Sequence, residues 1–185
     1  NNCRMFNCSV LHACTKDVFK NVFYLGLSGC GVGVSLLKPF VNCLPNIKKR
    51  LEDTITYTIE DSIEGWSNAL DLLLDSYFLG SEKIRFDYSE IREKGSYISG
   101  GFKAPGPDGL KNSLEIIEKL LDNLLNNEQN ILEPINVFDI ICHASDAVLS
   151  GGVRRSALNM IVDPNDIKMI YAKTGNWRQE NPQRA

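Results

Sequence analysis

No stretch of this 185-residue chain approaches the roughly 20 consecutive apolar residues that span a bilayer, and no signal-peptide pattern opens it. A basic block is missing too: 20 Lys and Arg stand against 23 Asp and Glu, for a formal net charge of -3. A surface built to neutralise nucleic-acid phosphates is therefore not expected, although a mononucleotide needs only a few donors and backbone N–H groups. The six cysteines (Cys3, Cys8, Cys14, Cys30, Cys43 and Cys142) form no CxxC pair, which excludes a zinc ribbon and a metal site of that kind. Spread through a chain of this length they make no disulfide scaffold either. They predict mostly buried thiols in a reducing, cytoplasmic compartment, with no membrane and no nucleic-acid partner.

What remains is an ordinary globular composition, 43% hydrophobic and 23% charged, enough for one core of useful size. The chain opens on Asn1 and closes on Asn181-Pro182-Gln183-Arg184-Ala185, which reads as a piece of something larger. Ser9–Ala13 predicts a short strand, Asp17–Tyr24 a helix, and Leu27–Leu36 a glycine-rich turn running into an apolar strand. Residues 38–60 carry two prolines and mixed charge and read as a surface excursion. Ile63, Trp66, Leu70, Leu73 and Tyr77 recur at helical spacing, with Asp61 and Ser62 as cap candidates and Gly80 as the stop. The glycines and prolines of 99–109 predict a shaped loop. Leu110, Leu114, Ile117, Leu121 and Leu124 predict a second helix, and 136–149 a third that ends in Ser150-Gly151-Gly152. Ser156–Val162 reads as a strand and Asp163–Thr174 as a capped helix. Helices and strands alternate, so the class is α/β.

Two glycine motifs suggest chemistry. Gly29-Cys30-Gly31-Val32-Gly33 resembles a phosphate-cradling loop but opens a strand, so no helix N-terminus faces the anion. Such glycines let a ligand or a neighbouring strand approach the backbone, or simply make a tight turn. Gly151-Gly152-Val153-Arg154-Arg155 combines free backbone angles with two arginines. A guanidinium fork matches phosphate and stacks on a base, and a solvated pair after a helix C-terminus is the plainer alternative.

In their order along the chain these pieces resemble the ribonucleotide reductase family. Asn7-Cys8-Ser9-Val10-Leu11 is similar to its first barrel strand, and Ser28-Gly29-Cys30-Gly31-Val32-Gly33 to the turn that lies against substrate. Ile91-Arg92-Glu93-Lys94-Gly95-Ser96, with Ser99-Gly100-Gly101 and Gly106-Pro107, is similar to the first specificity loop. Ser150–Ala157 resembles the second, and Asn181–Ala185 a segment of the cobalamin-dependent enzymes. About sixty residues between turn and first loop, including Asp61-Ser62-Ile63-Glu64-Gly65-Trp66, are similar to the insertion of the monomeric class II, ribonucleoside-triphosphate type.

The resemblance implies the first half of a ten-stranded α/β barrel over residues 1–185, with 38–90 a helical insertion near an effector site. It implies Cys8 as a reducing thiol, with Cys3 the other claimant, and Asn7, Gly29, Cys30, Gly31 and Arg154 as substrate-binding residues. Asp17, Arg92, Ser99, Gly151 and Gly152 would bind a deoxynucleotide effector. Adenosylcobalamin would be the cofactor. A ribonucleotide, a thioredoxin-type reductant and the C-terminal remainder of the reductase would be the partners. The family's radical cysteine sits in an Asn-Pro-Cys-Gly-Glu string that does not occur in this sequence. A class I fragment, the noncatalytic half of a split enzyme and a nucleotide-binding regulatory module stay open as other readings.

Overall fold

The computed structural model describes residues 7–98, 102–150 and 156–185. Its centre is a parallel sheet of three strands, β1 (Cys8–His12), β2 (Gly31–Ser35) and β7 (Ala157–Ile161), with β2 in the middle. Helix α1 (Asp17–Leu27) connects β1 to β2. Everything from Lys38 to Ser150 is one long excursion before the chain returns as β7. It contains α2 (Lys38–Val41), β3 (Thr54–Thr58), α3 (Ile63–Leu79) and β4 (Lys83–Asp87). A two-rung hairpin follows, β5 (Tyr97–Ile98) with β6 (Phe102–Lys103), then α4 (Asp108–Asn126) and α5 (Pro134–Ser150).

The helices form where the sequence stacks apolar residues on one face. In α4, Leu110, Leu114, Ile117 and Leu121 are all buried, each contributing about 1.5–3 kcal/mol of transfer free energy. Helix α3 starts at Ser62, whose hydroxyl accepts the Gly65 N–H at 2.8 Å, and stops at Gly80 in the left-handed conformation with φ 71°. Helix α1 packs against both α3 and α5, so one core runs from Phe19 and Phe23 through Leu70, Leu73 and Tyr77 to Ile140 and Ile141.

Three expectations change. The excursion after Lys38 is not merely superficial, because Val41, Leu44, Ile47 and Ile59 are buried. It also carries the parallel pair β3–β4 beside its helix. The loop of 99–109 contains strand β6 where it pairs back on β5. The helix expected over Asp163–Thr174 shrinks to α6 (Ile167–Ile170), capped by Asp166. Ile167, Ile170 and Tyr171 are exposed, so only Met169 and Ala172 reward helix formation there. Beyond it lie α7 (Trp177–Glu180) and a 3-10 turn, Pro182–Arg184.

Gly65 offers a clean test of this packing. In a helix, Ala is about 1 kcal/mol better than Gly. Yet a Cβ on Gly65 would run into the backbone carbonyl of Glu60, which has no flexible end to move aside. Gly65→Ala is therefore expected to destabilise by about 1–3 kcal/mol in urea unfolding. A stabilised variant would show that propensity wins and that the turn before α3 is not packed as described.

Candidate active site

Strand β2 alternates Gly31, Val32, Gly33, Val34, and the pleat sends the two kinds of residue to opposite faces. Val32 and Val34 are buried in the helix-covered core. Gly31 and Gly33 face the other side, in register with Cys8 and Ala157 in one row and Val10 and Asn159 in the next. Among the described residues this second face is open over its first two rows, where Val10 is 62% exposed, and is covered only at its far end, where Ser35 is buried and the Phe40 ring lies 4.6 Å from that of His12. Parallel sheets are normally covered on both faces, so the bare one is where further structure or a ligand belongs.

Cys8 stands at the rim of that face. It is exposed, and the Gly31 N–H donates to the Asn7 carbonyl at 2.9 Å, closing the first rung beside it. A Cβ built on Gly31 would sit 3.6 Å from both the Cys8 Sγ and the Asn7 oxygen. The thiol therefore lies directly alongside the glycine. Sequence reasoning overlooked Asn159, a polar residue placed on this face by the alternation of Ala157, Asn159 and Ile161 with Leu158 and Met160. That alternation was readable in the sequence.

The turn before β2 has its own logic. Gly29 has φ 86°, and its N–H donates to the Gly26 carbonyl while that of Cys30 reaches Leu25, so the helix closes and the strand begins within two residues. Cys30 is turned into the core with 1% exposure. Its side chain is thus withdrawn from the face where substrate contact was expected, because it falls on the valine side of the pleat. The Ser156 hydroxyl donates to the Cys30 carbonyl at 3.4 Å, tying the start of β7 to this turn.

The two effector candidates within the described residues are not brought together. Asp17 is exposed in the first turn of α1, next to Lys16, which pairs with Asp75 near the end of α3. Arg92 pairs through Nε with Asp61, just before the start of α3. Asp61 and Asp75 stand fourteen positions apart, most of them in α3, which is roughly 20 Å along the axis. Asp17 and Arg92 therefore belong to opposite ends of one helix. The base of the loop after Arg92 is a small ladder: the Gly95 N–H donates to Ala104 at 2.9 Å and the Ala104 N–H to Ser96 at 2.7 Å. Cys3, Ser99, Gly151, Gly152 and Arg154 lie outside the described residues.

A cavity of about 440 Å³ lies along the free edge of β7 against α5, lined among others by Cys142, Asp146, Asn159 and Arg184. Cys8, Gly31 and Arg92 do not line it. Arg184 is committed elsewhere, since its Nε and Nη2 make a two-pronged contact of 2.6 Å each with Asp139. That fork holds the Asn181–Ala185 segment on α5. Burial, with Asp139 nearby, pushes the Cys142 thiol up to about 12, which leaves it protonated and unreactive at neutral pH. Burial likewise lowers His143 and raises Asp146. Among the described residues no three His, Cys, Asp or Glu side chains gather to hold a metal ion. None of the described helices is long and apolar enough to cross a membrane.

Comparison with known proteins bears on these features together. The sequence model described as "B12-dependent ribonucleotide reductase, insertion domain" matches residues 40–121. A Dictyostelium discoideum protein named "Probable adenosylcobalamin-dependent ribonucleoside-triphosphate reductase" is 38% identical over 130 residues, 70% of this chain and 16% of its own length. The adenosylcobalamin-dependent ribonucleoside-triphosphate reductase of Lactobacillus leichmannii is 33% identical, over 65% of this chain and 17% of its own length. That of Euglena gracilis is 27% identical, over 85% of this chain and 21% of its own length. The chain thus spans between 16% and 21% of the length of these three curated relatives. In fold it superposes with a TM-score of 0.73 on a crystal structure of a B12-dependent (class II) ribonucleotide reductase, at 23% identity, over 91% of this chain and 27% of that one. The insertion and the parallel sheet occur here in one continuous order, and the chain belongs to the B12-dependent ribonucleotide reductase family.

Proposed function

We propose that this chain supplies part of the active site for reducing ribonucleotides to 2′-deoxyribonucleotides. The observation that carries the reading is the Cys8 thiol beside a floor of Gly31, Gly33 and Ala157 on an open sheet face. A floor without large side chains admits a sugar close to the backbone, and Asn7 and Asn159 offer amides for its hydroxyls. The 2′-hydroxyl leaves as water, and two thiols supply the two electrons as they close to a disulfide. Cys8 is one of them, or Cys3 in its place, and a thioredoxin-type dithiol then restores the pair by exchange. The second thiol and the radical-bearing cysteine would come from the remainder of the enzyme.

Adenosylcobalamin would be the radical source, since the relatives carry it in their names. The cavity of about 440 Å³ beside β7 is far smaller than a corrin with its nucleotide arm, so that cavity does not fit the cofactor. Arg92, Ser99, Gly151 and Gly152 would contact a deoxynucleotide effector, and Arg154 would pass its identity to the substrate base. Such an effector acts only by binding one loop arrangement better than another. Asp17, in the first turn of α1 and next to the Lys16 that pairs with Asp75 near the end of α3, is left out of that contact set.

Two measurements on the complete enzyme test this. Cys8→Ser is expected to abolish multiple turnover while nucleotide binding persists. Full turnover in that variant, with loss in Cys3→Ser, would transfer the role to Cys3, and full turnover in both would end the proposal. Gly31→Ala separates ligand from fold. The added methyl meets only ordinary contacts at 3.6 Å, and in a strand Ala is favoured over Gly by about 0.5–1 kcal/mol. Stability should hold or rise while the KM for ribonucleotide increases at least about tenfold. An unchanged KM would mean that substrate does not lie on Gly31.

A further inference from the structure

Arg92 and Asp61 meet across two segments that are each fixed from below. On one side Ile59 is fully buried, its N–H donates to the Asp87 carbonyl at 2.9 Å, and the Ser62 N–H donates to Glu60 at 2.8 Å. On the other, Ile91 is buried and its N–H donates to the Tyr88 carbonyl at 3.1 Å. The ion pair between them uses the Nε of Arg92, and neither Nη atom has a partner among the described residues. The Arg92 side chain is 43% exposed. An arginine gripped at Nε keeps its terminal pair of nitrogens available, the edge that takes a phosphate in two-pronged fashion.

We infer that Asp61 is a positioning residue for Arg92, holding its guanidinium so that the Nη edge is presented to an anionic phosphate group. The inference rests on the proposal above that Arg92 contacts a deoxynucleotide effector. It adds a specific part for Asp61: both residues lie in the stretch that the insertion-domain model matches, and there the carboxylate aims the arginine. Pre-aiming matters because a free arginine loses rotamer freedom on binding, and a second contact that has already restricted it lowers that cost.

The sign of one mutational effect decides between orientation and charge. Asp61 is itself negative and close to the phosphate site. By Coulomb's law alone its removal would tighten binding of an anion. If its part is to aim Arg92, its removal loosens binding. The experiment is equilibrium dialysis of the full-length enzyme with each of the four deoxynucleoside triphosphates, on Asp61→Ala, Asp61→Glu, Arg92→Ala and the double variant. Thermal unfolding of the ligand-free proteins runs alongside. The expected result is about tenfold weaker effector binding in Asp61→Ala, partial recovery in Asp61→Glu, and a double variant no weaker than Arg92→Ala. Where Asp61→Ala does not fold, Asp61→Asn keeps the volume beside the Ser62 cap and should still weaken binding. Tighter or unchanged binding on loss of the carboxylate, with Arg92→Ala weakened, overturns the positioning role alone. Unchanged binding in Arg92→Ala overturns the effector reading on which it stands.

Discussion

The alternation of valine and glycine along β2 constrains the rest of the molecule. Val32 and Val34 anchor the central strand in the core, and they do so on one face only. Because side chains on a strand repeat every two residues, the same register that buries the valines commits Gly31 and Gly33 to the opposite face. A slip of one residue would bring the glycines inward, leave the core short of two branched side chains and fill the open face with valine. The parallel ladders to β1 and β7 hold that register, and the placement of Cys8 beside Gly31 and of Asn159 beside Gly33 follows from it.

The insertion is joined to this sheet through α1. Lys16 to Asp75 at 2.5 Å, Lys20 to Asp71 at 3.0 Å and Tyr24 to Glu64 at 3.3 Å form a ladder between α1 and α3. Partly exposed pairs of this kind contribute about 0–1 kcal/mol each, so the affinity between the helices comes from the apolar seam, with Phe19 against Phe78. The ladder contributes register, since three antiparallel pairs along the two helices match in only one alignment. Deeper in the insertion, Arg50 lies over the Tyr77 ring at 4.2 Å and 2.8 Å from Glu118, without the alignment of a hydrogen bond, while the Tyr77 hydroxyl donates to Asp122 at 2.6 Å. Removing one member would strand a buried charge or hydroxyl, which is the costly kind of loss. Burial and the Asp122 contact raise Tyr77 far above the usual phenol range, so it stays a neutral donor.

Long amphipathic segments were legible in the sequence because their signal is local. Helices α3 and α4 begin and end within a residue or two of where caps and apolar spacing put them. Strand β3 was not legible: Thr-Ile-Thr-Tyr-Thr is short, follows Pro45 and a run of charge, and pairs with β4 some 29 residues later. Nothing within the segment announces that partner. The same limit applies to the site. Cys8 beside Gly31 could be foreseen because a βαβ unit sets neighbouring parallel strands in order, whereas grouping Asp17 with Arg92 ignored the length of the helix between their partners. Cys30 was grouped with its glycine neighbours by sequence, and the pleat separated it from them.

Gly26 shows how tightly the helix layer and the sheet are fitted. A Cβ there would stand 3.3 Å from a Val148 methyl and 3.4 Å from the Ser156 hydroxyl, so the last turn of α1 touches α5 and the start of β7 at once. Just past the end of that helix Gly29 turns the chain with φ 86°, and the Cys30 carbonyl accepts from that same Ser156. Three elements thus converge on the short stretch that launches β2. Packing at interior density does not deform continuously. A shift at Ser156 therefore has to be taken up by α1, by α5 or by the turn itself. Of these, α1 is pinned to α3 along its length and α5 to the Arg184 fork, which leaves the turn before Gly31 as the place where movement of β7 would be felt.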